Sequence, residues 1–464
     1  MSDHTAQKGD RPKRPNIILA MTDDQGWGDV GYNGHQVLRT SNLDAMSESG
    51  IRFDRFYAGA PVCSPTRGSC LTGRHPYRYG IFFANHGHML PEEITMAEAL
   101  KTIGYTTGHF GKWHLGTLTT EETDSNRGGP EHPEEYSPPW DNGFDVCFST
   151  EAKVPTYNPM ENPETGEEYG TSYWTGPGQK AAENLQGDDS RIIMDRAIPF
   201  IREAVAGGQP FLAVIWFHTP HLPVVAGPQH RESYASLPGS RPDYYGAITA
   251  MDEQMGRLRQ ELYRLGVRNN TMLWFCSDNG PEGPEHNMDE RPGSTGGFRG
   301  RKRDLFEGGI RVPALLEWPD QIPHARDTNI PCCTSDYYPT VMDVLGFIPE
   351  GQPRPIDGIS LLPLIQREMV ERPMNIAFET MEETTDGPRA ALIGNRYKLL
   401  SDVNGADMLF DMKNDPAETP DISTDNPQMV RKMHSELEEW HNSCERHHVS
   451  RRGTSTKILS LLRI

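Results

Sequence analysis

The chain has 464 residues and a formal net charge of −20, with 45 basic side chains against 65 acidic ones. That length predicts more than one domain. The charge excludes nucleic-acid binding driven by the global field, so an anionic ligand must be drawn in by local cations. Hydrophobic residues make up 35% of the chain, beside 45 Gly and 38 Pro, the profile of a loop-rich globular enzyme rather than a disordered protein.

In chain order, residues 1–15 are polar, and the apolar run 17–21 is too short for a secretory core or a membrane span. No export signal is visible, which predicts a cytoplasmic chain as written, or a periplasmic or secreted one if a leader has been removed. Residues 16–21 read as a first strand. Residues 41–49 read as a short helix, capped by Thr40 or Ser41 and stopped at Gly50. A helix over 95–103 leads through Gly104 into a strand over 105–110. Residues 119–190 are rich in Gly, Pro and acidic groups and predict surface loops with at most a short hairpin. Their aromatics Trp140, Tyr157, Tyr173 and Trp174 are expected at the cleft, where rings stack on sugars. A helix over 190–205 ends at Gly207-Gly208. The run 211–217 reads as a strand buried on both faces, followed by a long helix over 244–265 and a buried strand over 271–276. Beyond 365 the pattern changes to two short antiparallel strands, 390–400 and 408–412, and a closing helix over 428–440.

This alternation predicts an α/β fold with a large, mostly parallel sheet sandwiched by helices, and a smaller antiparallel sheet plus helix at the C-terminus. The expected domains are 1–365 and 366–464. Four of the strand-like runs lead directly into polar segments: Asp23-Asp24, Gly111-Lys112-Trp113-His114, His218-Thr219-Pro220-His221 and Ser277-Asp278-Asn279-Gly280. Sites in open α/β sheets form at the carboxyl ends of strands, so four such loops would converge on one rim.

Asp23, Asp24, Asp278 and Asn279 offer hard oxygen donors suited to Ca²⁺ or Mg²⁺ and poorly matched to zinc. Alone, Asp-Asp after a strand is as readily a surface turn. The seven cysteines are odd in number and irregularly spaced, which excludes a zinc-like pairing and argues against a disulfide framework. Cys276 and the pair Cys332-Cys333 read as small buried hydrophobes. Cys63 is different. Pro65 suits the first turn of a helix, so Cys63 would sit at a helix N-terminus, where backbone N–H groups face an anion.

The pentad Cys63-Ser64-Pro65-Thr66-Arg67, followed by Leu71-Thr72-Gly73-Arg74, resembles the signal by which a cysteine is oxidised to formylglycine in type I sulfatases, of the alkaline phosphatase-like superfamily. The segments around Lys112, His221 and 307–313 extend that resemblance over nearly the whole chain. It implies a sulfuric ester hydrolase whose nucleophile is the hydrated aldehyde made from Cys63. It further implies one calcium ion per chain, ahead of magnesium, held by Asp23, Asp24, Asp278, Asn279 and position 63. Arg67 would bond the hydrate, Lys112 would contact the sulfate and His114 would assist removal of the second hydroxyl proton. His221 would protonate the leaving oxygen, with His218 packed behind it, and Lys302 would be the last cation. The implied partners are a small or oligomeric sulfated substrate, a carbohydrate as in most of the family, and a formylglycine-generating enzyme, without nucleic acid or membrane. Arg301 and Arg303 flank Lys302 where the family pattern has small residues. They would either point to solvent or serve a second anionic group. A phosphate or phosphonate ester hydrolase of the same superfamily, and an inactive relative that binds sulfated glycans, are the competing readings.

Overall fold

The computed structural model describes residues 14–125, 127–283, 291–381, 387–402 and 406–451. Most of the polar N-terminal segment (1–13) and part of the 281–300 loop (284–290) lie outside the described residues. The larger sheet and its helices comprise β1 (Asn16–Thr22), β2 (Ile51–Phe53), α1 (Cys63–Thr72), β3 (Thr106–Lys112), β4 (Val146–Thr150), β5 (Trp174–Gly176), β6 (Gln179–Lys180), α2 (Asp189–Ala206), β7 (Phe211–Trp216), α3 (Arg241–Arg264), β8 (Thr271–Ser277), β9 (Ala314–Glu317) and β10 (Arg326–Thr328).

Among the described residues ten strands pair in the order β10-β2-β9-β8-β1-β7-β3-β4-β5-β6. The centre is parallel: β1 lies between β7 and β8, and β7 pairs with β3, which pairs with β4. The strands are apolar on both faces because both faces are covered. Along β1, Ile17, Leu19 and Met21 enter one core with Cys70 and Leu71 of α1. Ile18 and Ala20 enter the other, with Ile193 and Ile201 of α2 and Met251 and Leu258 of α3. Each such fully buried aliphatic side chain contributes about 1.5–3 kcal/mol of transfer free energy, which locks the register that brings the strand ends level.

The loop reading of 119–190 is corrected at one point. Val146–Thr150 is a sheet strand parallel to β3, short enough to be hidden among turn residues. The aromatics there are corrected too. Tyr173 is fully buried, stacked on Phe148 at 4.0 Å between centroids, and Trp174 is buried as well. Both are packing residues, whereas Trp140 and Tyr157 are half-buried.

The C-terminal part adds β11 (Ile376–Glu379), β12 (Ala390–Ile393), β13 (Tyr397–Ser401), β14 (Asp407–Asp411) and the helix α4 (Pro427–Arg451), the four strands forming one antiparallel sheet. Residues 390–400 thus form two strands, not one, turning at Gly394, and β11 is an addition to the expected pair. Leu392, Leu399 and Leu409 face Met433 and Leu437 of α4. Phe378, Ile393 and Phe410 face Tyr57, Phe306 and Ile310 of the larger part. Beside that second core lies a closed ion cluster. Lys398 is 3.0 Å from Glu307 and 2.7 Å from Glu418. Tyr57 donates to Glu307 at 3.0 Å, and the Glu307 N–H donates to Glu418 at 2.7 Å.

Candidate active site

The four strands β8, β1, β7 and β3 are consecutive in the sheet, and the polar segments expected at their carboxyl ends do converge. Asp24 leaves β1 in a left-handed conformation (φ 67°), which tolerates few side chains. Its N–H donates to Asp278 Oδ1 at 3.1 Å, joining the ends of β1 and β8. The Asp23 N–H donates to the Thr219 carbonyl at 3.0 Å, joining β1 to the loop after β7.

Cys63 opens α1, a helix whose ten residues are all buried. Its Sγ lies 3.5 Å from Asp23 Oδ1. Burial, only partly offset by Lys112 and Lys302, pushes the Cys63 thiol up to about 12. Three cations meet three carboxylates around it. Lys112 Nζ is 2.7 Å from Asp23 Oδ2, Arg67 Nη2 is 2.6 Å from Asp278 Oδ2 and Lys302 Nζ is 2.7 Å from Asp24 Oδ1. Arg67 also lies over the Trp216 ring, 5.1 Å from its centroid, and is fully buried. Burial raises Asp23, but Lys112, His221, Arg67 and Lys302 outweigh it and hold that carboxyl well below its ordinary value. Asp278 goes the other way, to about 7, through burial and the neighbouring Asp23 charge.

The two histidines of the β7 loop separate cleanly. His221 Nε2 is 3.7 Å from Asp24 Oδ2, and its Nδ1 donates to the Leu222 carbonyl at 2.7 Å. A carbonyl only accepts, so Nε2 is the nitrogen left facing the site. Burial, against the pull of Asp23 and Asp24, holds His221 down at about 4. His218 is turned away and fully buried. Its Nδ1 is 2.8 Å from Asp189 and its Nε2 is 2.7 Å from the Thr150 hydroxyl. Tyr173 donates to the other Asp189 oxygen at 2.5 Å.

Lys112 is the last residue of β3, so strand alternation does not carry on to His114. His114 is instead brought round by its own left-handed backbone (φ 59°), and its N–H donates to the Glu151 carbonyl at 2.8 Å. His114 is buried, and its Nε2 is 2.6 Å from Asn85 Oδ1. Asn85 escaped the sequence reading because a lone Asn in a glycine- and aromatic-rich loop carries no pattern. Arg301 does not point to solvent. It is buried and donates to the carbonyls of Gly293 and Glu282 at 2.7 and 3.1 Å. Arg303, partly exposed, is paired with Glu282 at 2.7 Å.

For a metal, one donor atom each from Asp23, Asp24, Cys63 and His221 lies within 4.8 Å of all the others. The sulfur and imidazole of that set would suit zinc. The wider set favours a hard ion. Asn279 donates its Nδ2 to Asp24 at 2.7 Å, and its Oδ1 is buried with no hydrogen-bond partner among the described residues. An orphaned amide oxygen beside three carboxylates is the donor chemistry of calcium or magnesium.

Comparison with known proteins agrees with this arrangement. The family model described as sulfatase matches residues 15–347, and one described as N-sulphoglucosamine sulphohydrolase, C-terminal, matches 296–443. The chain is 33% identical over 391 residues to an N-acetylgalactosamine-6-sulfatase of Sus scrofa, covering 78% of this chain and 68% of the relative. It is 34% identical over 382 residues to an arylsulfatase G of Canis lupus familiaris, covering 75% and 67%. Among solved structures, Ps i-CgsB in complex with k-i-k-neocarrahexaose superposes with a TM-score of 0.78 at 26% identity, covering 92% of this chain and 93% of that one. A match that begins at the first sheet strand and runs through all four site loops makes this chain a member of the sulfatase family and a sulfuric ester hydrolase.

Proposed function

We propose that the chain hydrolyses sulfate monoesters carried on carbohydrates, using a formylglycine made from Cys63 and one calcium ion held by Asp23, Asp24, Asp278, Asn279 and position 63. The observation that carries this reading is the setting of Cys63. It opens a buried helix, 3.5 Å from Asp23 and among Lys112, Lys302 and Arg67, with its thiol pushed up to about 12. A protonated thiol is a poor nucleophile, and attack through sulfur or a simple hydroxyl would leave a stable ester. A carbon bearing two hydroxyls avoids that trap, because the second can supply the electrons that release sulfate.

When bound, calcium supplies positive charge to sulfate oxygens and lowers the pKa of a hydroxyl in contact with it. The chain's own residues do the rest. The N–H groups that open α1 face the anion. Lys112, Lys302 and Arg67 fix positive charge in a buried pocket, where it acts on developing negative charge at little reorganisation cost. His221 would carry the proton for the leaving alcohol on Nε2, since Nδ1 is committed to Leu222. An anionic substrate beside it favours that protonated form, countering the burial that holds it down.

The carbohydrate part is supported by the names of the relatives, one an N-acetylgalactosamine-6-sulfatase and one solved with a neocarrahexaose. A phosphate dianion would call for extra positive charge. Arg301 and Arg303, the candidates for it, are committed to loop carbonyls and to Glu282, which favours the singly charged sulfate. On this reading a formylglycine-generating enzyme is the maturation partner. The test is peptide mass spectrometry across residue 63, combined with rates on matched aryl sulfate and aryl phosphate and a screen of sulfated sugars. Conversion of Cys63 with sulfate preferred is the expected result. An intact thiol in active protein, or a preference for phosphate, overturns it.

A further inference from the structure

A neutral imidazole has one donor and one acceptor nitrogen, and the partner of one fixes the role of the other. At His114 that partner is Asn85, whose Oδ1 is 2.6 Å from Nε2. The direction of the Asn85 amide is set independently, because its Nδ2 donates to the Ser125 carbonyl at 3.2 Å. A flipped amide would put oxygen against oxygen at Ser125. With Oδ1 facing the ring, Nε2 must carry the hydrogen. Nδ1 is then the lone-pair nitrogen, and it is buried without a hydrogen-bond partner among the described residues. The backbone of His114 is clamped as well. His114 N–H is bound to the Glu151 carbonyl, and Glu151 is 2.8 Å from Arg127, which donates in turn to the Gly87 carbonyl at 2.8 Å. The loop holding Asn85 and the backbone holding His114 therefore share one anchor. Burial first, then the charges of Lys112, Arg127 and Arg67, keep the imidazole neutral.

We propose that Asn85 is a positioning residue that locks His114 in the Nε2–H tautomer, so that Nδ1 is the atom that accepts a hydroxyl proton from position 63. The proton passes from that hydroxyl oxygen to Nδ1. The ring becomes an imidazolium with hydrogens on both nitrogens, and Asn85 Oδ1 goes on accepting from Nε2. The identity of the hydroxyl rests on the function proposed above, whereas the tautomer does not.

Asn85 has a left-handed backbone (φ 62°), which makes the test clean. Glycine adopts that conformation freely and aspartate tolerates it. Asn85→Gly removes the acceptor without straining the loop, and Asn85→Asp keeps it while setting a second oxygen against the Ser125 carbonyl. Nitrogen-15 NMR of histidine-labelled protein, with the His114 signal identified by its loss in His114→Gln, reads the tautomer directly. Kinetics on an aryl sulfate read the consequence. The expected result is Nε2–H in the wild type and in Asn85→Asp, and a mixed or inverted tautomer in Asn85→Gly. Alongside it, kcat of Asn85→Gly should fall roughly 10- to 100-fold with KM within about twofold, with part of that loss recovered in Asn85→Asp, which keeps the acceptor but loses the bond to Ser125. Melting curves confirm that each variant is folded. An Nδ1–H signal in the wild type, or an Asn85→Gly variant with unchanged tautomer and kcat, overturns the proposal. A wild type that shows the Nε2–H signal yet cleaves no sulfate ester instead sinks the function, leaving the tautomer lock in place without that reaction.

Discussion

Two clusters of buried charge in this molecule use nearly the same ingredients and end differently. At the junction of the two sheets, Glu307, Glu418 and Lys398 close on each other with Tyr57 and Arg311. At the carboxyl ends of the central strands, Asp23, Asp24 and Asp278 meet Lys112, Lys302 and Arg67, but atoms are left over. The Asn279 amide oxygen and His114 Nδ1 have no hydrogen-bond partner among the described residues. A buried polar atom without a partner costs about 1–3 kcal/mol. The first cluster has been built to hold two layers of chain together, and the second to receive something. Charge in a protein interior is thus no sign of function by itself. Nor is one atom without a hydrogen bond, since Glu418 Oε1 is another, though Lys398 lies 2.7 Å away. Two lone-pair atoms left over together at one strand rim are such a sign.

That contrast can be broken or sharpened by experiment. Cys63→Ala removes the reacting position and should lower kcat by about 10,000-fold or more, while the melting temperature stays within a few degrees. A large loss of stability would mean that the site cluster is structural after all. Lys398→Met should do the reverse. It leaves two buried carboxylates with their shared cation gone, and urea unfolding should show a loss of about 3–5 kcal/mol, with kcat per folded molecule nearly unchanged. Chelation tests the leftover donors. Dialysis against a calcium chelator should lower the melting temperature and abolish activity, and calcium at 100 times its Kd should restore about 2.7 kcal/mol. Zinc restoring both in place of calcium would shift the weight to Cys63 and His221. The smallest effect calibrates the rest. His441 Nδ1 lies 2.9 Å from Glu379, and that hydrogen bond raises the imidazole above 6.5 against some burial. Because the folded value is the higher one, the pair stabilises fully below pH 6.5 and loses its effect as pH rises through the raised value. His441→Gln should therefore cost at most about 1 kcal/mol at pH 5.5, and nothing measurable at pH 9.

Much of the site was legible in the sequence because the chemistry follows directly on apolar runs. Asp23, Lys112, His221 and Asp278 each lie within a few residues of a buried strand, so hydrophobic patterning locates them without knowledge of the fold. What was hidden depends on contacts across long sequence distances. Asp189 meets His218 29 residues away, and Asn85 meets His114 at the same separation; neither pair has a local signature. The strand Val146–Thr150 was masked by its length and by the turn residues around it. The solvent-facing alternative for Arg301 failed for a related reason. Nothing in the run Arg301-Lys302-Arg303 reveals that three carbonyls of the preceding loop surround the first guanidinium.

The consecutive placement of β8, β1, β7 and β3 has one further consequence. Neighbouring strands stand about 4.8 Å apart, so the four strand ends from which the reacting groups converge span about 15 Å, a spacing pitched by the hydrogen-bond ladder itself. The intervening stretches can lengthen, shorten or change composition without altering that pitch. In such a molecule, what is cleaved and what is recognised are written in separate parts of the chain, and selection can revise the second while leaving the first alone.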